Sequence, residues 1–599
     1  MKKNVTWRAL KMYHGFHRAY FPLKGLETLL RNFSPYFNLW MSAEIVTALY
    51  QGRKKEEIYL LAAVTLLVNL FTRIAGAFLG RATINALETL ENNQALAFYK
   101  KTLSLDYDKL ENPEIRQLRR KIVENSWING YGVTNMRWQV EWLMDDLMKL
   151  AFSLILTVEM VTLMVRASFQ WLGLLLFLLV LGVEAAAIIF ANVANRKAAA
   201  YWDKTGEQML WENQFSAGTR IQGMDNRIYR QQLLLNRLEK KLNDEHLKIF
   251  GTVDKKSFLY SIPKIVFFRL IKLFTCLIVC LYCILGAFPI GSVIKYVGYL
   301  EGLINCVGNL FTRTAMLKTN RRFLKTYLEY FDIKNDMYQG SLAVEKRSDR
   351  QFEIMFRNVS FRYAGSEEDA LKDINLSLRA GERLAVVGRN GSGKTTFIKL
   401  MCRLYDPTEG EVILNDFNVR KYDYRQYLEL FSVVFQDYNL LSVPLGNNVA
   451  SAAEWEQEKA ERLLRQAGFG ERYNEMPKGL ETPLYKDFDE DGVNLSGGEA
   501  QKVALARALY RDAPFIILDE PTAALDPIAE AEIYARFDEI VGNRTAIYIS
   551  HRLSSCRFCD RIAVFDQGRI VQLGTHEELL ADEGGRYYEL WKAQAQYYA

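Results

Sequence analysis

Two glycine turns, roughly a hundred residues apart, set the chemical question: "GRNGSGKTT" at 388–396 and "LSGGE" at 495–499. In the first, Gly388, Gly391 and Gly393 free the backbone amides of the loop, with Asn390 and Ser392 between them, to wrap phosphate oxygens. Lys394 adds a point charge, Thr395 offers a hydroxyl suited to a divalent cation, and Thr396 continues into a helix. Downstream, "FIILDE" (515–520) ends a buried-strand pattern in two carboxylates. Asp519 is placed to hold Mg²⁺ through water, and Glu520 to act as general base on an attacking water. The second turn, Ser496-Gly497-Gly498, opens another long helical run, and bare amides at a helix start also suit an anion. One chain therefore carries two phosphate-holding turns.

The elements that must position these residues are legible around them. "RLAVVG" (383–388) reads as a strand feeding the first glycine loop, and "TAIYIS" (545–550) as another buried strand. Short β-branched strands alternating with helices from about residue 350 predict an α/β domain with a largely parallel sheet. The first 320 residues differ in kind. Their apolar runs, near 26–49, 58–80, 147–165, 171–191, 265–288 and 293–311, predict six membrane-crossing helices, of which 171–191 is the cleanest. Short connections follow spans one, three and five. Segments 81–146 and 192–264, rich in Lys and Arg, follow spans two and four, which places them with the basic amino terminus on the cytoplasmic side. Both read as helical, with possible contact elements at 110–118 and 219–227, where Pro and Gly interrupt the pattern.

Composition agrees with this division. The chain has 599 residues, half of them hydrophobic, and a net charge of only +6, while its mean hydropathy is −0.09. Apolar character must therefore be concentrated in one part. Weak net charge and six apolar spans argue against a soluble ATPase acting on nucleic acid. No apolar stretch with a small-residue exit follows the basic amino terminus, so a cleaved leader is not predicted. The seven cysteines show no disulfide framework. Cys276, Cys280, Cys283 and Cys306 sit in apolar runs, and the lone Cys556-x-x-Cys559 reads as structural.

The ordered set GRNGSGKT, FQD, LSGGE, FIILDEPT, ALD and SHR, with "VSFRY" before it, resembles that of ATP-binding cassette (ABC) transporters across 363–552. The six-span half is similar to the exporter type. The resemblance implies a multidomain membrane protein, an all-α six-helix transmembrane domain joined to an α/β P-loop ATPase. The expected division is an interfacial segment 1–25, membrane domain 26–320, linker 321–350 and nucleotide-binding domain 351–599. It further implies that Tyr363 stacks on adenine, that Gln436 links Mg²⁺ to the membrane domain, and that His551 contacts the γ-phosphate. Asp526 would line the intersubunit loop. Ser496, Gly497 and Gly498 would cap ATP held by the phosphate loop of a facing cassette, which answers why two turns are needed.

Two departures stand out: Glu499 replaces the commoner Gln, and the preceding "YKDFDEDGVN" is unusually acidic. A chain with one cassette and six spans is a half-transporter that must dimerise. The full catalytic set slightly favours a homodimer over a heterodimer. The expected cofactors are ATP and Mg²⁺, and the expected location is a bacterial cell membrane, in contact with lipid. The expected activity is ATP-driven export of a cationic or amphipathic peptide, drug or lipid-like substrate. An ATP-gated channel or sensor, or a lipid flippase, is the alternative on the same scaffold. Glu44, Glu159, Glu184 and Glu301 lie inside apolar spans, where each costs about 2.5–3.5 kcal/mol if it faces lipid. They read either as an anionic cavity or as internal ion pairs, with Arg73, Lys264, Arg269 and Lys272 as candidate partners.

Overall fold

A computed structural model describes residues 4–127, 130–166, 227–345, 347, 351–520, 541–542, 544–550 and 553–595, together with 182 and 186. The predicted fourth span apart from residues 182 and 186, the 219–226 stretch, Glu184, Asp526 and His551 lie outside the described residues. The chain divides into two compact units, one of Met1–Leu105 with Pro113–Lys334, the other of Asp106–Asn112 with Asn335–Ala599.

Described helices of the first unit are α1 (Val5–Phe16), α2 (Tyr20–Tyr50), α3 (Lys55–Leu103), α5 (Pro113–Trp127), α6 (Val133–Arg166), α7 (Gln232–Ile284) and α8 (Ser292–Asp332); the five-residue α4 (Tyr107–Glu111) belongs to the second unit. Three of the described helices are long and apolar enough to cross a membrane, over Lys55–Leu103, Val133–Met164 and Ile265–Ile284. The predicted first and sixth spans fall within α2 and α8, which are long but carry more polar residues. At 49 residues, α3 extends about 73 Å at the usual helical rise, more than twice a hydrocarbon layer. Its apolar face, with Leu66, Leu67, Leu70, Phe71, Ile74 and Phe78, is exposed, as lipid contact requires.

Helix α8 packs closely on α2 because small residues face it. A Cβ at Gly291 would stand 2.2 Å from the Ala43 carbonyl oxygen, and one at Gly298 would stand 2.6 Å from Leu39. Beside this contact Tyr36 bonds Ser153 of α6 at 2.7 Å. A core of Tyr36, Met160, Ile271, Ile278, Tyr296 and Tyr299 joins α2, α6, α7 and α8. Where the sequence suggests a linker from 321, α8 instead runs on to Asp332. Leu324, Tyr327 and Leu328 are buried there against Ala9, Tyr13 and Leu90, so the helical pattern has a core to join.

The second unit holds two sheets. Strands β1 (Ile354–Phe361), β2 (Leu371–Leu378), β4 (Glu409–Leu414) and β5 (Phe417–Asn418) form an antiparallel sheet in the order β2-β1-β4-β5. The other has the order β10-β9-β3-β8-β7-β6, built from β3 (Arg383–Gly388), β6 (Phe431–Val434), β7 (Phe515–Asp519), β8 (Thr545–Ile549), β9 (Arg561–Asp566) and β10 (Arg569–Gly574). Pairing is parallel from β9 to β6, with only β10 antiparallel. Strands β7 and β8 are buried at every residue, as unbroken runs such as "FIILD" require when both faces are covered. One core, with Phe356, Leu384, Phe397, Ile517 and Phe565, lies between the sheets around helix Lys394–Met401. A second, with Leu464, Val503, Leu505 and Ile516, packs helix Gly497–Arg511 on the other side.

Candidate nucleotide site

The loop 388–396 leaves the end of β3 and turns directly into helix Lys394–Met401. Two glycines are required by the path. At Gly388 a Cβ would lie 2.2 Å from the Phe565 carbonyl oxygen; Gly393 has φ +107°, and a Cβ there would stand 2.7 Å from the Leu371 side chain. Lys394 folds under the loop and is buried. Its Nζ donates to the carbonyl oxygens of Gly388 at 3.0 Å and Arg389 at 3.1 Å. Burial lowers its pKa, while Glu520 and Asp519 draw it back up.

Asp519 stands at the end of β7, only 2 % exposed. Burial pushes its pKa up to about 6, the neighbouring Glu520 adds to this, and Lys394 and a hydrogen bond from Thr395 oppose it. Its Oδ2 and the Ser392 hydroxyl are both buried without a hydrogen-bond partner among the described residues. A buried carboxylate oxygen left unpaired beside a threonine hydroxyl suits a hard cation, so the donor set fits Mg²⁺.

Glu520 has φ +49°, a left-handed conformation that costs a non-glycine residue about 1–2 kcal/mol. Two contacts hold it: its amide donates to the Ile549 carbonyl at 3.1 Å, and Gln501 Nε2 donates to its own carbonyl at 3.1 Å. Gln436, just after β6, donates from Nε2 to Glu520 Oε2 at 3.1 Å. Asp519, Glu520 and Gln436 are thus gathered at the carboxyl ends of adjacent parallel strands, where open α/β sheets receive ligands. Tyr363 lies half-buried nearby, edge-to-face with Phe361 and Tyr405, its hydroxyl 3.0 Å from Thr396 Oγ1. Asn390 and Gly391 are exposed at the loop tip.

Ser496 is the N-cap of helix Gly497–Arg511 in a complete capping box: the Glu499 amide donates to Ser496 Oγ at 3.3 Å, and the Ser496 amide donates to Glu499 Oε2 at 2.7 Å. Glu499 also pairs with Arg472 at 3.0 Å. The Gln-to-Glu departure therefore keeps the cap, and the capping role does not depend on which of the two residues is present. Among the described residues, no hydrogen bond joins 496–498 to the loop 388–396. Tyr438 donates instead to the Gly497 carbonyl at 2.9 Å.

Sequence reasoning missed Gln501 and Tyr438, which hold Glu520 and Gly497 in place. Neither belongs to a local pattern; only the packing of distant segments reveals them. It also missed Asp106 and Tyr107, which precede the suggested 110–118 element. Asp106 accepts from the amides of Asp336 and Met337 at 2.9 and 3.0 Å, and Tyr107 packs edge-on against Tyr405.

In the first unit, Glu301 pairs with Lys272 at 3.0 Å, one of the partners expected from sequence. Glu159 pairs at 3.0 Å with Lys295, which was not. These two glutamates are therefore neutralised, as internal ion pairing predicts. No ion pair is seen for Glu44 among the described residues.

Comparison with known proteins agrees with this geometry. Residues 371–523 match the ABC transporter family. The subtilin transport ATP-binding protein SpaT of Bacillus subtilis is 28% identical over 590 residues, 96% of this chain and 91% of its own length. The ATP-dependent lipid A-core flippase of Salmonella typhimurium is 36% identical over 313 residues, about half of each chain (52%). A solved bacterial Atm1-family ABC exporter with ATP bound matches 96% of this chain and 99% of its own with a TM-score of 0.77; at 20% identity this establishes the fold. Residues 371–523, which contain the phosphate loop and the Ser496–Gly498 turn, thus form an ABC transporter domain, and the chain is homologous to ABC exporters.

Proposed function

We propose that the protein is an ATP-driven exporter half-transporter that works as a dimer, with a homodimer favoured, and moves an amphipathic substrate out across a bacterial membrane. SpaT, named for subtilin transport, and the lipid A-core flippases support a peptide-like or lipid-like cargo. The pairing of Glu159 and Glu301 with lysines shifts the substrate reading from cationic toward amphipathic.

The observation that carries the reading is the cluster of Lys394, Asp519, Glu520 and Gln436 beside a glycine loop, in a chain that also holds long apolar helices. Loop amides 388–396 and Lys394 would bind the β and γ phosphates of ATP, and Tyr363 the adenine. Thr395, Asp519 and Gln436 would hold Mg²⁺, which supplies charge neutralisation for the phosphates when bound. Glu520 accepts the proton of the attacking water, with Gln436 and Gln501 fixing its position. His551 and Asp526 are assigned to the γ-phosphate and the intersubunit loop on the family pattern. Ser496 to Gly498 would cap the γ-phosphate held by the other protomer, so that closure of two cassettes around two nucleotides drives the membrane helices to open outward.

Glu520→Gln tests this in proteoliposomes. Loss of a general base costs about 10²–10⁴ in rate, so ATP binding should persist while hydrolysis and ATP-dependent export of amphiphiles fall together by that order. Hydrolysis at the wild-type rate would refute the assignment of Glu520.

A further inference from the structure

Two ion pairs involve glutamates of the apolar spans, Glu159 with Lys295 and Glu301 with Lys272. In the first, the lysine is buried, its side chain only 5% exposed, while Glu159 is 49% exposed. Lys272 and Glu301 are 46% and 36% exposed although they touch at 3.0 Å. Lys272 lies twelve residues before the end of the span Ile265–Ile284, on the order of 18 Å from that end and well inside a hydrocarbon layer. Charges exposed at that depth require water or a polar ligand.

A second observation falls at the same place. A notch of about 10 Å³ is lined by Ile271, Lys272, Thr275, Val297, Glu301 and Ile304. Thr275 is 2% exposed, and its Oγ1 has no hydrogen-bond partner among the described residues. The notch has room for about one water or one polar atom of a ligand. The remaining lining is aliphatic.

We propose that Lys272, Glu301 and Thr275 form a substrate-recognition site for amphipathic zwitterions, an inference that rests on the export reading and names its cargo class. A lone cation drawn to Glu301 meets the Lys272 ammonium about 3 Å away, and a lone anion meets the reverse. A molecule carrying ammonium and anion together satisfies both. The ligand inserts one acceptor or donor toward Thr275 and rests its apolar body on Ile271, Val297 and Ile304.

The test measures equilibrium binding to the full-length Glu520→Gln protein, so that hydrolysis plays no part, in phosphatidylglycerol nanodiscs with binding to empty discs subtracted. Probes share a dodecyl chain: a sulfobetaine, trimethylammonium and sulfate. A charge-assisted contact is worth about tenfold in affinity, so the sulfobetaine should bind about tenfold tighter than either ion. Lys272→Gln should move the preference to the cation and Glu301→Gln to the anion. A zwitterionic lysophospholipid and an amphipathic peptide bearing one Lys and one Glu then compete with bound sulfobetaine, and the stronger competitor identifies the source. Equal binding of the three probes, an order unchanged in both variants, or displacement by neither competitor would overturn the proposal. If the binding order holds but wild-type protein shows no ATP-dependent transport, the export reading fails and the site stands.

Discussion

At the scale of single residues, Asp519 carries a measurable signature. Its pKa is raised by burial from near 4 to about 6, so the folded protein binds its proton more tightly than the unfolded chain does. The sign follows: below pH 4 the carboxyl is neutral in both states and nothing is lost, whereas above pH 6 a buried charge destabilises the nucleotide-free fold. A rise of that size corresponds to on the order of 2–3 kcal/mol. Asp519→Asn should therefore be more stable than wild type at pH 8 in the absence of nucleotide and magnesium, and the gap should close by pH 4. Denaturant unfolding of both proteins across that range checks it; a gap independent of pH contradicts it. Glu159→Gln makes a second case. It leaves the buried Lys295 ammonium without its anion, and an unsatisfied buried polar group costs about 1–3 kcal/mol, more when charged. A lowered melting temperature in detergent is expected, and Glu159→Gln/Lys295→Met should recover part of it. The residues read correctly from sequence as neighbours, Lys394 with its loop and Asp519 with Glu520, are close in the chain. Gln501, Tyr438 and Lys295 were not legible, because their roles come from contacts between segments 19 to 136 residues apart.

At the scale of elements, close approach of α2 and α8 depends on Gly291 and Gly298. Adding a methyl at Gly291 drives it into the Ala43 backbone, which cannot yield as a side chain does. Overpacking of this kind costs about 1–3 kcal/mol, so Gly291→Ala should lower the thermal midpoint. Gly76, on α3, has nothing within 4 Å of its Cβ position. Gly76→Ala should be neutral or slightly stabilising, since alanine is the better helix former by about 1 kcal/mol. Equal losses in the two variants would contradict the packing account. The same scale shows where hydrophobic pattern suffices and where it does not. The second, third and fifth spans were evident from apolar runs alone. The full length of the fifth was not, because α7 continues through Pro263. Proline is tolerated there as neighbouring helices and local adjustment satisfy the freed carbonyl. The extension of α8 to Asp332 was hidden for another reason: its Leu324, Tyr327 and Leu328 become a core only against α1 and α3.

At the scale of the whole molecule, the two phosphate-holding turns decide the account. Within one chain Ser496 spends its hydrogen bonds on its own helix cap. On the proposed reading, ATP is held between one protomer's loop 388–396 and the 496–498 turn of its partner, so neither chain completes a site alone. Mixing two dead variants separates this from a site complete within one chain. Lys394→Ala removes the phosphate lysine, and Ser496→Arg blocks the cap. In a mixed dimer one site combines both defects, while the other joins an intact loop to an intact cap. If each protomer's site were its own, every chain in the mixture would be defective. ATPase activity should be near zero for either variant reconstituted alone and should return on co-reconstitution. The ceiling is about a quarter of the wild-type rate for random pairing, if each intact site keeps its own rate constant. No activity in the mixture above that of the separate variants, with dimers present, would contradict the central claim.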